Sequence, residues 1–311
     1  MKFKIKNKGN FVGDFWHEAK KINWKQVNRD SLQKFRIVLI GNHESYTSLI
    51  NELEQSRYDF FGLKIDREIK ISESAKAKLV FVDINKSFDN IKADIIRAEI
   101  VIVDSKYINK VREQVGIVPA YHYDRDGMKD VVEDILNDNE KLGPALAFNF
   151  PAFRTNIARK KITEISKQNA IWAAGTSVAN IIPGPQQIIT APLEGFSDFT
   201  VLTTNELRMV FITAGICGRK IEPLKLIPEL IIMLGGAKGA QILATQTLGK
   251  VPAGAGNILK AAIAFAFTFA IGEAVFLNMN YGIKIDSKKI GQRVEVLKDF
   301  SKEKVAKFIK K

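Results

Sequence analysis

A strand-like apolar run, Phe35-Arg36-Ile37-Val38-Leu39-Ile40, enters Gly41, and Ser48 follows seven residues later. That layout belongs to phosphate-binding loops of the form G-x-x-x-x-G-K-[S/T]. There the second glycine lets backbone N–H groups close on phosphate, the lysine neutralises its charge, and the hydroxyl holds Mg²⁺. The stretch Gly41-Asn42-His43-Glu44-Ser45-Tyr46-Thr47-Ser48 keeps the two ends and loses the middle. Tyr46 puts a β-carbon and a phenol ring where the smallest residue is needed. Thr47 replaces the lysine, which removes a charge-assisted contact worth roughly 1.5–3 kcal/mol. Glu44 adds negative charge where phosphates would lie. These residues predict that no cofactor is required and that GTP or ATP with Mg²⁺ is not held in the usual mode. If a nucleotide site is retained, its residues are Gly41, Ser45, Thr47, Ser48, Asp83 and Asp124.

The remaining positions of nucleotide chemistry are equally reduced. Asp83 ends a strand-like run and could face a metal ion, but Lys86 stands three residues on, where a GTPase places a glycine. Asn109-Lys110-Val111-Arg112 imitates a guanine-reading N-K-x-D with arginine for the aspartate, and it follows the fourth strand, one too early. At the proper strand end stands Tyr121-His122-Tyr123-Asp124, of which only Asp124 fits. The succession of strands and loops resembles a small GTP-binding domain that has lost its chemistry.

Other chemistry is thinly represented. The three histidines, His17, His43 and His122, all lie in the first 122 residues, so the C-terminal half cannot build a histidine-ligated zinc site. Glu194 and Asp198 stand four apart without an E-x-x-H partner, which reads as a polar helix edge. Asp198, Glu206, Arg208 and Glu273 suit polar pairing between helices, which fixes register. Cys217, the single cysteine, sits at an apolar helix end and is expected to be inert.

The elements that must carry these residues divide the chain. Residues 1–34 read as a basic arm and an amphipathic helix. Residues 35–144 read as an α/β domain with a mostly parallel sheet. Strands are expected at Phe35–Gly41, within Tyr58–Ile71, and at Lys78–Asp83, Ile100–Asp104 and Gly116–Ala120, with helices at Thr47–Ser56, Phe88–Arg97 and Met128–Asn137. Near-continuous apolar strands such as Leu79-Val80-Phe81-Val82 suit a parallel sheet covered on both faces. Residues 152–283 read as an all-α domain, with helices at Thr155–Ala179, Pro192–Gly218, Pro223–Gly236, Ala237–Leu248 and Asn257–Asn278. Residues 284–311 form a basic tail whose Ile290, Val294 and Leu297 share a face.

Composition narrows the setting. The chain has 311 residues, 46% apolar and 26% charged, which is ordinary globular material. Mean hydropathy is −0.05, so the chain is not built mainly of membrane spans. The polar, basic start and the lone cysteine predict a reducing, cytoplasmic setting. Net charge is +13, and both ends are basic. In the first helix Val12, Phe15, Trp16, Ala19 and Ile22 share a face, with Lys21 opposite, Lys20 at the flank and Trp24 close behind. Such a helix suits a bilayer interface, so Phe15, Trp16, Trp24, Lys20 and Lys21 are candidate membrane contacts. Residues 261–279 carry one charge, Glu273, and are long enough for insertion. No nucleic-acid partner is expected, because no stacking platform interleaves the basic residues.

A further resemblance rests on a run of landmarks: Asn169-Ala170, Ile181-Ile182-Pro183-Gly184-Pro185, Asp198, Thr204-Asn205-Glu206-Leu207-Arg208-Met209-Val210, Glu229-Leu230, Gly235-Gly236, Val251-Pro252-Ala253-Gly254, the alanine-rich Ala261–Glu273 and Tyr281-Gly282. Residues 154–283 thereby resemble the bacterial YcjF-like domain of unknown function, often joined to the C-terminal side of a small GTP-binding domain. The resemblance implies a bacterial, GTPase-linked protein at the inner face of the cell membrane. With the reduced loop it implies a non-catalytic GTPase-like scaffold or regulator; the alternative is a GTP- or ATP-binding hydrolase with a non-standard loop.

Overall fold

The computed structural model describes residues 22–60, 62–86, 91–117, 119–124, 128–174, 198–222 and 256–309. Two compact units result. Among the described residues, one holds those within 29–157 and 216–219; the other holds those within 1–28, 158–215 and 220–311.

The first unit is the α/β domain. Its central strand, β1 (Ile37–Gly41), is buried along its whole length. It pairs in parallel with β4 (Leu79–Asp83) on one side and β5 (Ile100–Asp104) on the other, and β5 pairs in parallel with β6 (Tyr121–Tyr123). The order β4-β1-β5-β6 reverses about β1, because the chain leaves β4 and crosses to the far side. Open parallel sheets gather their ligand-facing loops at the carboxyl ends of strands around such a reversal.

The apolar strands earn their sequence by being covered twice. On one face Val38, Ile40, Val82, Val101 and Val103 pack with Val111 of α5 (Ile108–Val115) and Ile95 of α4 (Ile91–Ile96). On the other, Phe81 meets the ring of Tyr46 in α2 (His43–Glu54) at 4.7 Å. The hairpin β2–β3 (Gln55–Phe60 and Leu63–Glu68) forms a separate antiparallel ribbon. Alternation decides its facing: Ser56, Tyr58 and Phe60 are buried while Arg57 and Asp59 point outward. A short helix α3 (Glu73–Lys76) precedes β4, and α6 (Met128–Asp138) and α7 (Gly143–Asn149) close the unit.

Several boundaries differ from expectation, three of them in ways that bear on the α/β unit. The strand expected at Gly116–Ala120 lies at Tyr121–Tyr123, since Gly116 (φ 84°) ends α5 and the chain needs the next residues to reach the sheet. The helix expected over Thr47–Ser56 starts four residues earlier, and Ser56 already belongs to β2. The stretch within Tyr58–Ile71 is a hairpin that begins at Gln55.

The second unit is helical: α8 (Pro151–Ala173, shared with the first), α9 (Asp198–Ile216), α10 (Gly256–Tyr281) and α11 (Ser287–Ile309). Gly272 lets three of them meet. A β-carbon there would fall 2.7 Å from Cγ2 of Ile162 in α8 and 2.8 Å from Sδ of Met209 in α9. A buried amide chain crosses the same helices: Asn205 donates to Asn169 at 2.7 Å, and Asn169 donates to Thr268 at 2.9 Å. Of the residues expected to pair across helices, Glu273 has a partner on another helix. Glu273 is buried and grips Arg293, Glu206 is buried, and burial pushes the Arg208 guanidinium down in pKa with Glu164 opposing. The side chain of Asp198 lies outside the described residues, as do the helices expected at Pro223–Gly236 and Ala237–Leu248. The basic tail contains α11, and its face of Ile290, Val294 and Leu297 is buried.

A short helix, α1 (Trp24–Ser31), begins at Trp24. Its Asn28 exchanges hydrogen bonds at 3.3 Å with the backbone of Ile221. Phe15, Trp16, Lys20 and Lys21 lie outside the described residues.

Candidate functional site

Sheet topology brings the predicted nucleotide residues to one edge. Gly41 ends β1 beside Asp83 of β4, its registered partner, and Asp124 follows β6 in an exposed position. The local conformation is not that of a phosphate cradle. Helix α2 starts at His43, so Asn42 alone connects it to β1, and residues 43–48 of the supposed loop are helical.

The sequence folds this way because Asn42 is a strong helix cap. With φ −94° and ψ 176° it sits outside the helix, and its side-chain oxygen accepts from the Ser45 N–H at 2.8 Å. The Asn42 N–H in turn donates to the Ser45 hydroxyl oxygen at 3.3 Å, which completes a capping box. Tyr46 N–H donates to the Asn42 carbonyl at 3.0 Å. The Tyr46 bond is the first of the helix ladder, whereas the Ser45 N–H is one that a helix start leaves unpaired, and here it is engaged by Asn42. A phosphate would have to displace that Asn42–Ser45 bond.

The hydroxyls are equally engaged. Ser45 lies close to the carboxylate of Asp104, to which its hydroxyl donates, and to the Asn42 side-chain oxygen at 2.6 Å. Thr47 donates to the His43 carbonyl at 3.0 Å, and Ser48 shares a hydrogen bond of 2.8 Å with the Tyr123 hydroxyl. Asp83 accepts from the Asn85 N–H at 2.9 Å. The Asn42 amide donates to Tyr107 at 2.9 Å, which ties α2 to the turn after β5. Tyr46 lies over Phe81, where a second loop glycine would leave space. Lys110, of the N-K-x-D look-alike, donates to the Ile84 carbonyl at 2.9 Å.

Gly41 is needed for this closeness. A β-carbon there would stand 2.9 Å from Cβ of Ser45 and 3.4 Å from Cβ of Asp104. The glycine thus lets the first turn of α2 sit directly against the end of β5.

Sequence reasoning missed Asn42, Asp104 and Tyr107. A signal existed for two of them. Asn42 stands three residues before Ser45 at the head of a helical run, and Asp104 ends an apolar strand run, as Asp83 does. Tyr107 had none, since its role depends on where the sheet carries it. Among the described residues no group of three or more histidine, cysteine, aspartate or glutamate side chains could hold a metal ion.

What these elements define is an α/β domain with a parallel sheet, in which side chains at the carboxyl ends of β1 and β5 bond to one another, followed by a helical region. Compared with family models, curated proteins and solved structures, the chain matches none of them.

Proposed function

We propose that the chain is a non-catalytic, GTPase-derived module joined to a YcjF-like helical region, acting as a scaffold or regulator at the inner face of the cell membrane. The observation that carries the first part is the start of α2 at His43. It leaves one connecting residue after β1, with Asn42 and Asp104 engaging Ser45 where phosphate would bind. The absent lysine and the Tyr46 ring on Phe81 point the same way.

Titration calorimetry with GTP, GDP and ATP in the presence of Mg²⁺ tests this reading. No heat of binding at millimolar nucleotide is expected. Micromolar affinity abolished by Ser48→Ala would establish the competing reading, a nucleotide hydrolase with a non-standard loop. That alternative draws on the convergence of Gly41, Asp83 and Asp124 at one sheet edge.

The membrane part rests on charge and apolarity. The chain carries +13, with basic residues crowded at both ends. Such charge favours anionic bilayers, at about 1 kcal/mol per basic residue near the surface. Among the described residues one helix, Ala261–Tyr281, is apolar and long enough to cross a membrane, but 72% of its most apolar 18-residue stretch is buried inside the protein. Attachment is therefore peripheral in this reading. Sedimentation with phosphatidylglycerol vesicles at low and moderate salt tests it: binding lost at higher salt is expected, and absence of binding at both salts removes the membrane role.

A further inference from the structure

The segment Ala261–Tyr281, within α10, is 21 residues long, and its most apolar 18 residues have a mean hydropathy of 1.7. At 1.5 Å per residue it extends roughly 31 Å, the thickness of a bilayer's hydrocarbon core. A helix of this kind stays in a water-soluble fold only if other elements cover it, and α11 is packed along it.

The covering helix is built for that role. Ile290, Val294, Leu297, Ser301 and Val305 recur at intervals of three and four, and all are buried. Val305 packs in one cluster with Ala261, Ala262 and Phe265 of α10 and Ala170 of α8. Farther along, Arg293 grips Glu273 with two hydrogen bonds, 2.6 Å from Nε and 2.9 Å from a terminal nitrogen. Glu273 is 1% exposed, so its charge is compensated inside the protein by α11. The opposite side of α11 belongs to water: Lys289, Glu295, Asp299 and Lys302 are exposed.

That outer side makes two states mutually exclusive. A helix bearing these exposed charges cannot follow α10 into hydrocarbon while still packed on it. Entry of α10 into a bilayer thus requires that α11 first let go. The connection between them permits this: Gly282, at φ 70° with open space where a β-carbon would be, begins a five-residue link.

We propose that α11 is an intramolecular cover that keeps α10 out of the membrane, and that its release turns surface attachment into insertion. The proposal extends the membrane reading above, and the two fail separately.

The experiment leaves α10 untouched and alters α11 alone, in the full chain. Leu297→Asp with Val305→Asp places carboxylates in the buried stripe. Val296→Asp with Phe300→Asp places the same charges on the exposed side, where the native residues are 57% and 60% accessible. Each protein is mixed with vesicles of phosphatidylcholine and phosphatidylglycerol, washed with alkaline carbonate and floated on a density gradient. Protease protection of residues 256–281 is read by mass spectrometry on the floated fraction.

The expected result is that the buried-stripe variant floats after carbonate about tenfold more than wild type, as a population shift of that size requires, with residues 256–281 protected. The exposed-side variant should behave as wild type. Wild type floating to the same extent would overturn the proposal, because α11 would not be restraining α10. A buried-stripe variant that remains soluble or sediments as aggregate would overturn it too, as would flotation without protection of α10. Wild type that shows no vesicle binding even at low salt removes the peripheral membrane role and leaves the contrast between the two variants intact.

Discussion

Asp104, the last residue of β5, accepts a hydrogen bond from the hydroxyl of Ser45 in the first turn of α2. The contact joins two positions 59 residues apart in the chain. It places a carboxylate of the protein beside the helix N-terminus, the end whose partial positive charge would otherwise attract phosphate.

Introducing the consensus phosphate-loop residues should therefore not confer nucleotide binding. In Tyr46→Gly with Thr47→Lys, the helix still begins at His43 and Asn42 still caps it. The variant loses the ring packing on Phe81 and gains a glycine inside a helix, together about 2 kcal/mol of stability. Urea unfolding should show that loss, and calorimetry with GTP and Mg²⁺ should show no binding.

Two helical glycines should respond oppositely to alanine. At Gly272 the new β-carbon meets Ile162 and Met209 below 3 Å, so overpacking should cost about 1–3 kcal/mol. At Gly291 in α11 nothing lies within 4 Å of the new atom. There, alanine should be neutral or stabilise by up to about 1 kcal/mol through helix propensity. Thermal unfolding of the two variants checks the contrast.

The buried amides should be coupled. Asn169→Ala leaves the Asn205 donor and the Thr268 hydroxyl without a partner, at about 1–3 kcal/mol. Asn205→Ala removes one end of the same chain. The double variant should lose less than the sum of the singles, a coupling on the order of 1 kcal/mol in a double-mutant cycle. Strict additivity would show that the helices are not held in register by this chain.

Cys217 should be silent until the protein unfolds. Burial pushes its thiol up to about 12, with Arg154 and Arg219 opposing. A raised folded value means that the stability it reports is full below the thiol's unfolded pKa, near 8.5, and is lost as pH rises through about 12. A thiol reagent at mildly alkaline pH should label native protein at least tenfold more slowly than protein in denaturant.

Much of the sheet was legible from residue type. Ile100–Asp104 is found as expected, and Lys78–Asp83 differs at one end only, because apolar β-branched runs bounded by polar residues leave few alternatives. Gly116–Ala120 misled for a local reason. A glycine that ends a helix and one that opens a strand look alike until the left-handed φ is seen. In the helical unit, the buried face of α11 followed from the spacing of Ile290, Val294 and Leu297. Its grip on Glu273 did not, since 20 residues and a turn separate the two charges.

The sequence by itself determined that the loop after β1 lacks a lysine and a second glycine, and that the chain passes from parallel strands to apolar helices. Those facts are local, carried by side-chain type and period. Tertiary structure decided which side chains meet at the carboxyl end of β1 and what covers the apolar helix. Asp104 reaches Ser45 only because β5 lies beside β1, and Arg293 reaches Glu273 only because α11 turns back along α10. Both are contacts between segments distant in the chain, and residue spacing carries no information about which of many such pairs the packing will bring together.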